Sequence, residues 1–212
     1  MIIFSAINLS ACKQSNDANK EAEILAQSSQ EPIQTETLDG MKKAYFASGC
    51  FWCVEAIYES VEGVEEAISG YSGGKAQNPS YEDHADHAEA VEVIYDPETV
   101  SFSTLVDVYF GSQNITQVNG QGPDRGISYR SILFYQNAAE KDIIDEKINA
   151  LNKSLKGEKV AAQVLPFQKF WKAEAYHQNY EKNNPDNPYI QNVSIPRLNR
   201  FKQKFPELVK KD

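Results

Sequence analysis

From Ala44 to Leu165 the apolar residues switch repeatedly between alternation and helical spacing. That switching restricts the chain to a mixed fold with helices laid on a sheet. Ala44–Ala47 reads as a short strand broken by Ser48-Gly49, and Val54, Ile57, Tyr58 and Val61 follow at i, i+3, i+4 and i+7. Glu55, Glu59 and Glu62 fall off that stripe, and Gly63 ends the helix. Further strands are expected at Val64–Tyr71, Ala88–Tyr95, Tyr129–Tyr135 and Lys159–Leu165. Helices are expected from Ser103 to about Ser112 with Ser103 as N-cap, and after Asn137 with Ile144, Ile148, Leu151 and Leu155 on one face. Two more are expected at Trp171–Tyr180 and Pro196–Lys210. Strands and helices alternate irregularly, so the expectation is one α+β domain.

Charge and cysteine content narrow the function. Twenty-one Lys and Arg stand against thirty Asp and Glu, a formal charge of −9, which disfavours binding to a phosphate backbone. The chain has three cysteines, Cys12, Cys50 and Cys53, too few for a disulfide scaffold. Cys50 and Cys53 lie where a strand enters a helix. A helix N-terminus carries partial positive charge and unsatisfied N–H groups, so a thiol placed there is expected to ionise readily. Three residues of spacing put Cys53 on the same side of the first turn, within reach of a disulfide. A zinc site needs two further ligands at zinc spacing, and there is no second Cys pair. The group Asp83, His84, Asp86 and His87 is expected to be solvated loop, so no metal is assigned.

The N-terminal part reads differently. Leu9-Ser10-Ala11-Cys12 resembles the lipobox of bacterial lipoprotein precursors, with residues 1–12 as signal peptide and Cys12 as the lipidated residue. Residues 13–40 are rich in Gln, Ser, Glu and Asn, too polar to offset the entropy of ordering, and are expected to form a disordered tether before a catalytic domain at 41–212. The expected location is the cell envelope, lipid-anchored, with the cytoplasm as the alternative.

An ordered series of motifs then runs along the domain. It begins with Gly49-Cys50-Phe51-Trp52 and continues through Gly70-Tyr71-Ser72-Gly73-Gly74, Asn78-Pro79-Ser80-Tyr81 and His87-Ala88-Glu89-Ala90-Val91. It ends with Asn119-Gly120-Gln121-Gly122-Pro123-Asp124-Arg125-Gly126, Tyr129-Arg130-Ser131 and Ala173-Glu174-Ala175-Tyr176-His177-Gln178. The series resembles the A-type methionine sulfoxide reductases, the peptide-methionine (S)-S-oxide reductases, which reverse oxidation of methionine. The resemblance implies a two-layer α/β sandwich with a ferredoxin-like core. It implies that Cys50 is the nucleophile, that Phe51 and Trp52 line a pocket for the substrate methyl group, and that Glu89 protonates the sulfoxide oxygen. Tyr81 and Tyr129 assist, and Asp124 orders the network. No cofactor is implied. Reducing equivalents come from thioredoxin or another thiol donor, the substrates are oxidised proteins or peptides, and a monomer is expected.

The residues bear on these roles independently. Glu89 shares strand parity with Val91, Val93 and Tyr95, so its carboxyl is expected on an apolar face, where burial raises its pKa. Relatives often keep resolving cysteines near the C-terminus, whereas this chain has none after Cys53, so an intramolecular regenerating disulfide joins Cys50 and Cys53. The alternative is a thioredoxin-like disulfide oxidoreductase, since a Cys-x-x-Cys pair at a helix start also serves there. Glu89 has no use in that chemistry.

The lipobox generates a test. The chain expressed in a bacterial host is expected to fractionate with membranes, and Cys12→Ser to move it to the soluble fraction. Intact, unlipidated residues 1–12 in the mass spectrum of the mature protein would refute the anchor.

Overall fold

The computed structural model describes residues 27–36 and 39–211. The chain divides into two units, residues 1–31 and 32–212. Cys12, the lipobox segment 1–12 and the tether up to residue 26 lie outside the described residues. The rest of the expected tether differs from its reading. Ile33 N donates to Phe167 O at 2.8 Å, and Thr35 donates through N and Oγ1 to Gln136 Oε1 at 2.8 and 2.7 Å. The compact domain therefore begins at Pro32 rather than Met41, because those polar groups find partners on it.

Eight strands and five helices follow among the described residues of this unit. They are β1 (Lys42–Ser48), α1 (Phe51–Glu59), β2 (Val64–Ser72), β3 (Ala88–Tyr95) and α2 (Phe102–Gly111). A small hairpin of β4 (Gly120–Gln121) and β5 (Asp124–Arg125) precedes β6 (Ser131–Tyr135), α3 (Ala138–Ser154), β7 (Gln163–Pro166) and β8 (Phe170–Lys172). The chain ends with a short α4 (Tyr180–Asn183), a π-helical turn at Ile190–Ser194 and α5 (Ile195–Lys204). The main sheet runs β7-β6-β1-β3-β2-β8, antiparallel throughout except for β6 with β7. Its centre, β6-β1-β3-β2 with α1 after β1 and α2 after β3, is the expected ferredoxin-like core.

β1 sorts its side chains by parity. Ala44 and Phe46 join Val54, Ile57, Tyr58 and Val61 of the first helical segment and Leu105, Val106 and Tyr109 of α2 in the main core. Tyr45 and Ala47 face a smaller core with Ile132, Phe134, Leu165 and Phe167, where Tyr45 and Phe167 stack at 3.8 Å. The sheet is thus buried on both faces over its centre.

Local pattern and tertiary pairing disagree at several points. Ser101 rather than Ser103 caps α2, its Oγ accepting from Thr104 N at 3.0 Å. A 3₁₀ turn at Ile127–Tyr129 delays β6 until Ser131. β7 covers only Gln163–Pro166, and α5 stops at Lys204, ahead of Pro206. Trp171–Tyr180 is not a helix. Phe170–Lys172 instead takes up the free edge of β2, with Gly70, Tyr71 and Ser72 opposite Lys172, Trp171 and Phe170, and a 3₁₀ turn follows at Ala175–His177. The pairing needs Gly70, since a Cβ there would sit 2.3 Å from Trp171 O.

Gly70→Ala therefore drives a methyl group into backbone that cannot rotate away. The expected cost is about 2 kcal/mol, the scale of overpacking, and for a domain of this size a fall in Tm of roughly 5 °C in thermal denaturation. An unchanged Tm would show that β8 does not hold this close approach.

Candidate active site

The site is built where β1 passes into α1. Gly49 turns the chain with φ of 78°, and a Cβ there would lie 2.5 Å from Gln121 Cβ, so the position requires glycine. Cys50 is the N-cap residue of α1 and makes no side-chain capping bond. The helix's first N–H is capped from elsewhere, Phe51 N donating to Glu89 Oε2 at 2.9 Å. Glu89 lies on the helix-facing side of β3, as its parity predicts, and only 2% of it is exposed. Burial raises its pKa to about 8, with the charges of Asp124 and Cys53 adding to the rise and the Phe51 bond opposing it. The carboxyl is accordingly protonated at neutral pH.

Cys50 and Cys53 are free, buried thiols in contact with each other. The expectation that the helix start eases ionisation of Cys50 does not hold against its burial. Burial, the hydrogen bond to Cys53 and the nearby Glu89 push Cys50 up. Cys53 is lowered to about 6 by the Cys50 hydrogen bond and the cation of Arg197, against its own burial. The helix-end field is present, but burial of Cys50 works against it, and the two thiols ionise as one coupled pair.

Aromatic rings close the site around the thiols. Phe51 is buried against His177 (4.9 Å), Tyr71 (5.8 Å) and Tyr81 (6.3 Å). Trp52 is half-buried, stacks on Tyr180 at 3.7 Å, and donates from Nε1 to His177 Nδ1 at 3.0 Å. Tyr81 is 36% exposed, held at its backbone by a bond to Glu174 Oε1. Burial raises the Tyr129 hydroxyl, helped by the neighbouring charges of Glu89, Tyr81, Cys50 and Asp124. Asp124, on the β4–β5 hairpin, accepts from Tyr189 OH at 2.6 Å, and that hydroxyl touches Cys53 Sγ at 3.7 Å. Cys50, Cys53, Phe51, Trp52, Tyr81, Glu89, Asp124 and Tyr129 therefore form one cluster.

Sequence reading missed four contributors. Tyr189 is a lone aromatic after Pro188, without periodicity to mark it. His177, in the last of the ordered motifs, is fully buried beneath Trp52 as its hydrogen-bond acceptor. Glu55, off the apolar stripe, is buried all the same. It takes the Ser69 hydroxyl and the Asn179 N–H, and burial raises it to about 7. Arg197 donates to Ser112 O, Ser48 O and Ser48 Oγ at 2.9, 3.0 and 2.9 Å, fixing the end of β1 just before the thiols.

The His and Asp residues of the loop before β3 fold that loop. Asp86 accepts from Lys75 N and Ala76 N, His87 bonds Gly74 N and Ala76 O, and His84 bonds Ser128 Oγ. Among the described residues no three His, Cys, Asp or Glu side chains converge as a metal site.

Comparison with known proteins agrees with this geometry. Residues 42–209 match the family model of peptide methionine sulfoxide reductase. The peptide methionine sulfoxide reductase MsrA of Pasteurella multocida is 42% identical over 173 residues, covering 80% of this chain and 99% of that protein. That of Sulfolobus acidocaldarius is 37% identical over 171 residues, covering 79% of this chain and 97% of the relative. Among solved structures, reduced Mxr1 from Saccharomyces cerevisiae is similar with a TM-score of 0.63 and 32% identity over 72% of this chain and 91% of its own. With a family match over residues 42–209, the chain belongs to the peptide methionine sulfoxide reductases and carries out thiol-dependent reduction of methionine sulfoxide.

Proposed function

We propose that Cys50 is the nucleophile and Glu89 the acid in reduction of the S epimer of methionine sulfoxide in oxidised proteins and peptides. The observation that carries this is the Glu89 carboxyl. It is kept protonated by burial and is tied to Phe51 N, one residue from the Cys50 thiol. Cys53, hydrogen-bonded to Cys50 in a pair that ionises as one unit, takes the proton of Cys50. The Cys50 thiolate attacks the sulfoxide sulfur while Glu89 delivers its proton to the oxygen. Methionine leaves, and the oxygen stays on Cys50 as sulfenic acid. Phe51 and Trp52 offer an apolar wall to the substrate methyl group. Tyr81 and Tyr129 hold the oxygen, and Asp124 fixes Tyr189 beside the thiols.

The Cys53 thiol then condenses with the sulfenic acid, releasing water and forming the Cys50–Cys53 disulfide. A thiol donor, of thioredoxin type or a small thiol, reduces it by exchange. No metal or bound cofactor takes part. The enzyme acts as a monomer tethered at the cell envelope through Cys12.

Glu89 is tested by the pH profile. The single-turnover rate should rise through about pH 6 as the thiol pair ionises and fall through about pH 8 as Glu89 loses its proton. Glu89→Gln retains a hydrogen-bond donor but no acid proton, and is expected to lose roughly 10²–10⁴ in rate together with the alkaline limb. A variant that keeps both would remove Glu89 from the chemistry.

The cysteines separate in their kinetics. Cys50→Ser should release no methionine. Cys53→Ser should release about one methionine per enzyme in a single turnover at a reduced rate, then stall with a thioredoxin-type donor while dithiothreitol sustains turnover in part. Normal thioredoxin-driven turnover in Cys53→Ser would make Cys53 structural.

A further inference from the structure

The two sulfurs face different surroundings. Cys50 belongs to the aromatic side, where Glu174 binds Tyr81 N and burial fails to neutralise it. The hydrogen bonds it accepts hold it below the usual carboxylate range, and Glu82 stands beside Tyr81 in sequence. An anionic molecule is repelled there. Cys53 instead lines a groove of about 540 Å³ between the β4–β5 hairpin and α5, which shares Asp124 and Tyr189 with the catalytic cluster but which Cys50 does not line. Asp124 and Tyr189 form one wall, and Arg197, Arg200 and Lys204 form another.

The charge of this groove runs against that of the chain. The protein carries −9, yet no Asp or Glu occurs between Asp186 and Glu207, a stretch that contributes Arg197, Arg200, Lys202 and Lys204. Arg197 is buried, and its three hydrogen bonds all go to uncharged oxygens, so its cation is not neutralised by them. Arg200 and Lys204 are exposed at the rim. A buried cation behind a sulfur, with two more at the mouth, suits a small thiol carrying carboxylates, and the volume is that of an ordinary small-ligand site.

We propose that this groove is the reductant site of the enzyme, admitting a small anionic thiol to the Cys53 side of the Cys50–Cys53 disulfide while methionine sulfoxide occupies the aromatic side. The inference rests on the disulfide proposed above. The thiolate of the reductant attacks Cys53 Sγ, forming a mixed disulfide as the Cys50–Cys53 bond breaks. The electron pair leaves on Cys50 Sγ, which takes up a solvent proton. A second reductant thiolate attacks the reductant's sulfur, releasing Cys53 as thiolate and the reductant as its own disulfide. Two thiols are oxidised and one enzyme disulfide is reduced. Leaving-group acidity favours the opposite course, attack at Cys50 with Cys53 expelled. The charge of the two sides overrides it for an anionic thiol.

The test starts from enzyme oxidised with one equivalent of methionine sulfoxide and checked by mass for the internal disulfide. Its reduction by anionic glutathione and by cationic cysteamine is followed separately, in the wild type and in a variant carrying both Arg200→Glu and Lys204→Glu. The glutathione-to-cysteamine rate ratio is expected to fall about tenfold or more in the variant, and the wild-type glutathione rate to drop with added salt. Partial misfolding lowers both rates together and leaves the ratio in place. Acid-quenched intermediates should carry glutathione on Cys53. An unchanged ratio, or glutathione found on Cys50, overturns the reductant site while the disulfide stands. Absence of the internal disulfide overturns the regeneration scheme and this inference with it.

Discussion

Phe51 N donates to a carboxyl oxygen of Glu89, and most of the site hangs on that bond. It joins the start of α1 to the middle of the sheet through a first-turn N–H that Cys50, with no side-chain cap of its own, leaves open. The same bond aims the carboxyl at the turn holding the thiols. Burial beneath α1 supplies the rest. The ionised form loses its hydration, and a single N–H does not replace it, so the group stays a proton donor at neutral pH. Capping and acid–base function are thus one arrangement seen from two sides.

The C-terminal segment provides the opposite wall by similar economy. Gln178 substitutes for a strand neighbour at Ser69, its Oε1 accepting from Ser69 N and its Nε2 donating to Ser69 O and Ala173 O. Glu55 takes the Ser69 hydroxyl and the N–H of Asn179, which turns the chain with φ of 54°. These bonds bring Tyr180 flat against Trp52 and His177 beneath it. Farther on, Arg197 reaches from α5 to Ser48, so the residue before Gly49 is held by the last helix of the domain. A buried guanidinium among neutral acceptors is costly, and its proximity to the negatively charged cysteine pair offsets part of that cost.

Several features were legible in the chain itself. Periodicity located β1, α1, β2, β3 and α3, because each presents a regular apolar set to one core. Strand parity put Glu89 on the buried face, since alternation in a strand leaves no other choice. The ordered motifs identified the family and so the fold. Cysteine spacing placed Cys50 and Cys53 in one helical turn.

What only the tertiary structure decided lies where long-range contacts outweigh local preference. Trp171 and its neighbours have an acceptable helical pattern, but the open edge of β2 and the gap at Gly70 offered pairing that a lone helix could not match. Glu55 looks solvent-facing on a helical wheel, and is buried because the C-terminal segment folds over it. How readily the Cys50–Cys53 pair ionises depends on depth of burial and on Arg197, a residue far away in sequence. Local sequence determines which face a side chain presents. How dry that face becomes, and which charges stand opposite, is set by segments that arrive from elsewhere in the chain, and those two quantities fix the chemistry of a thiol or a carboxyl.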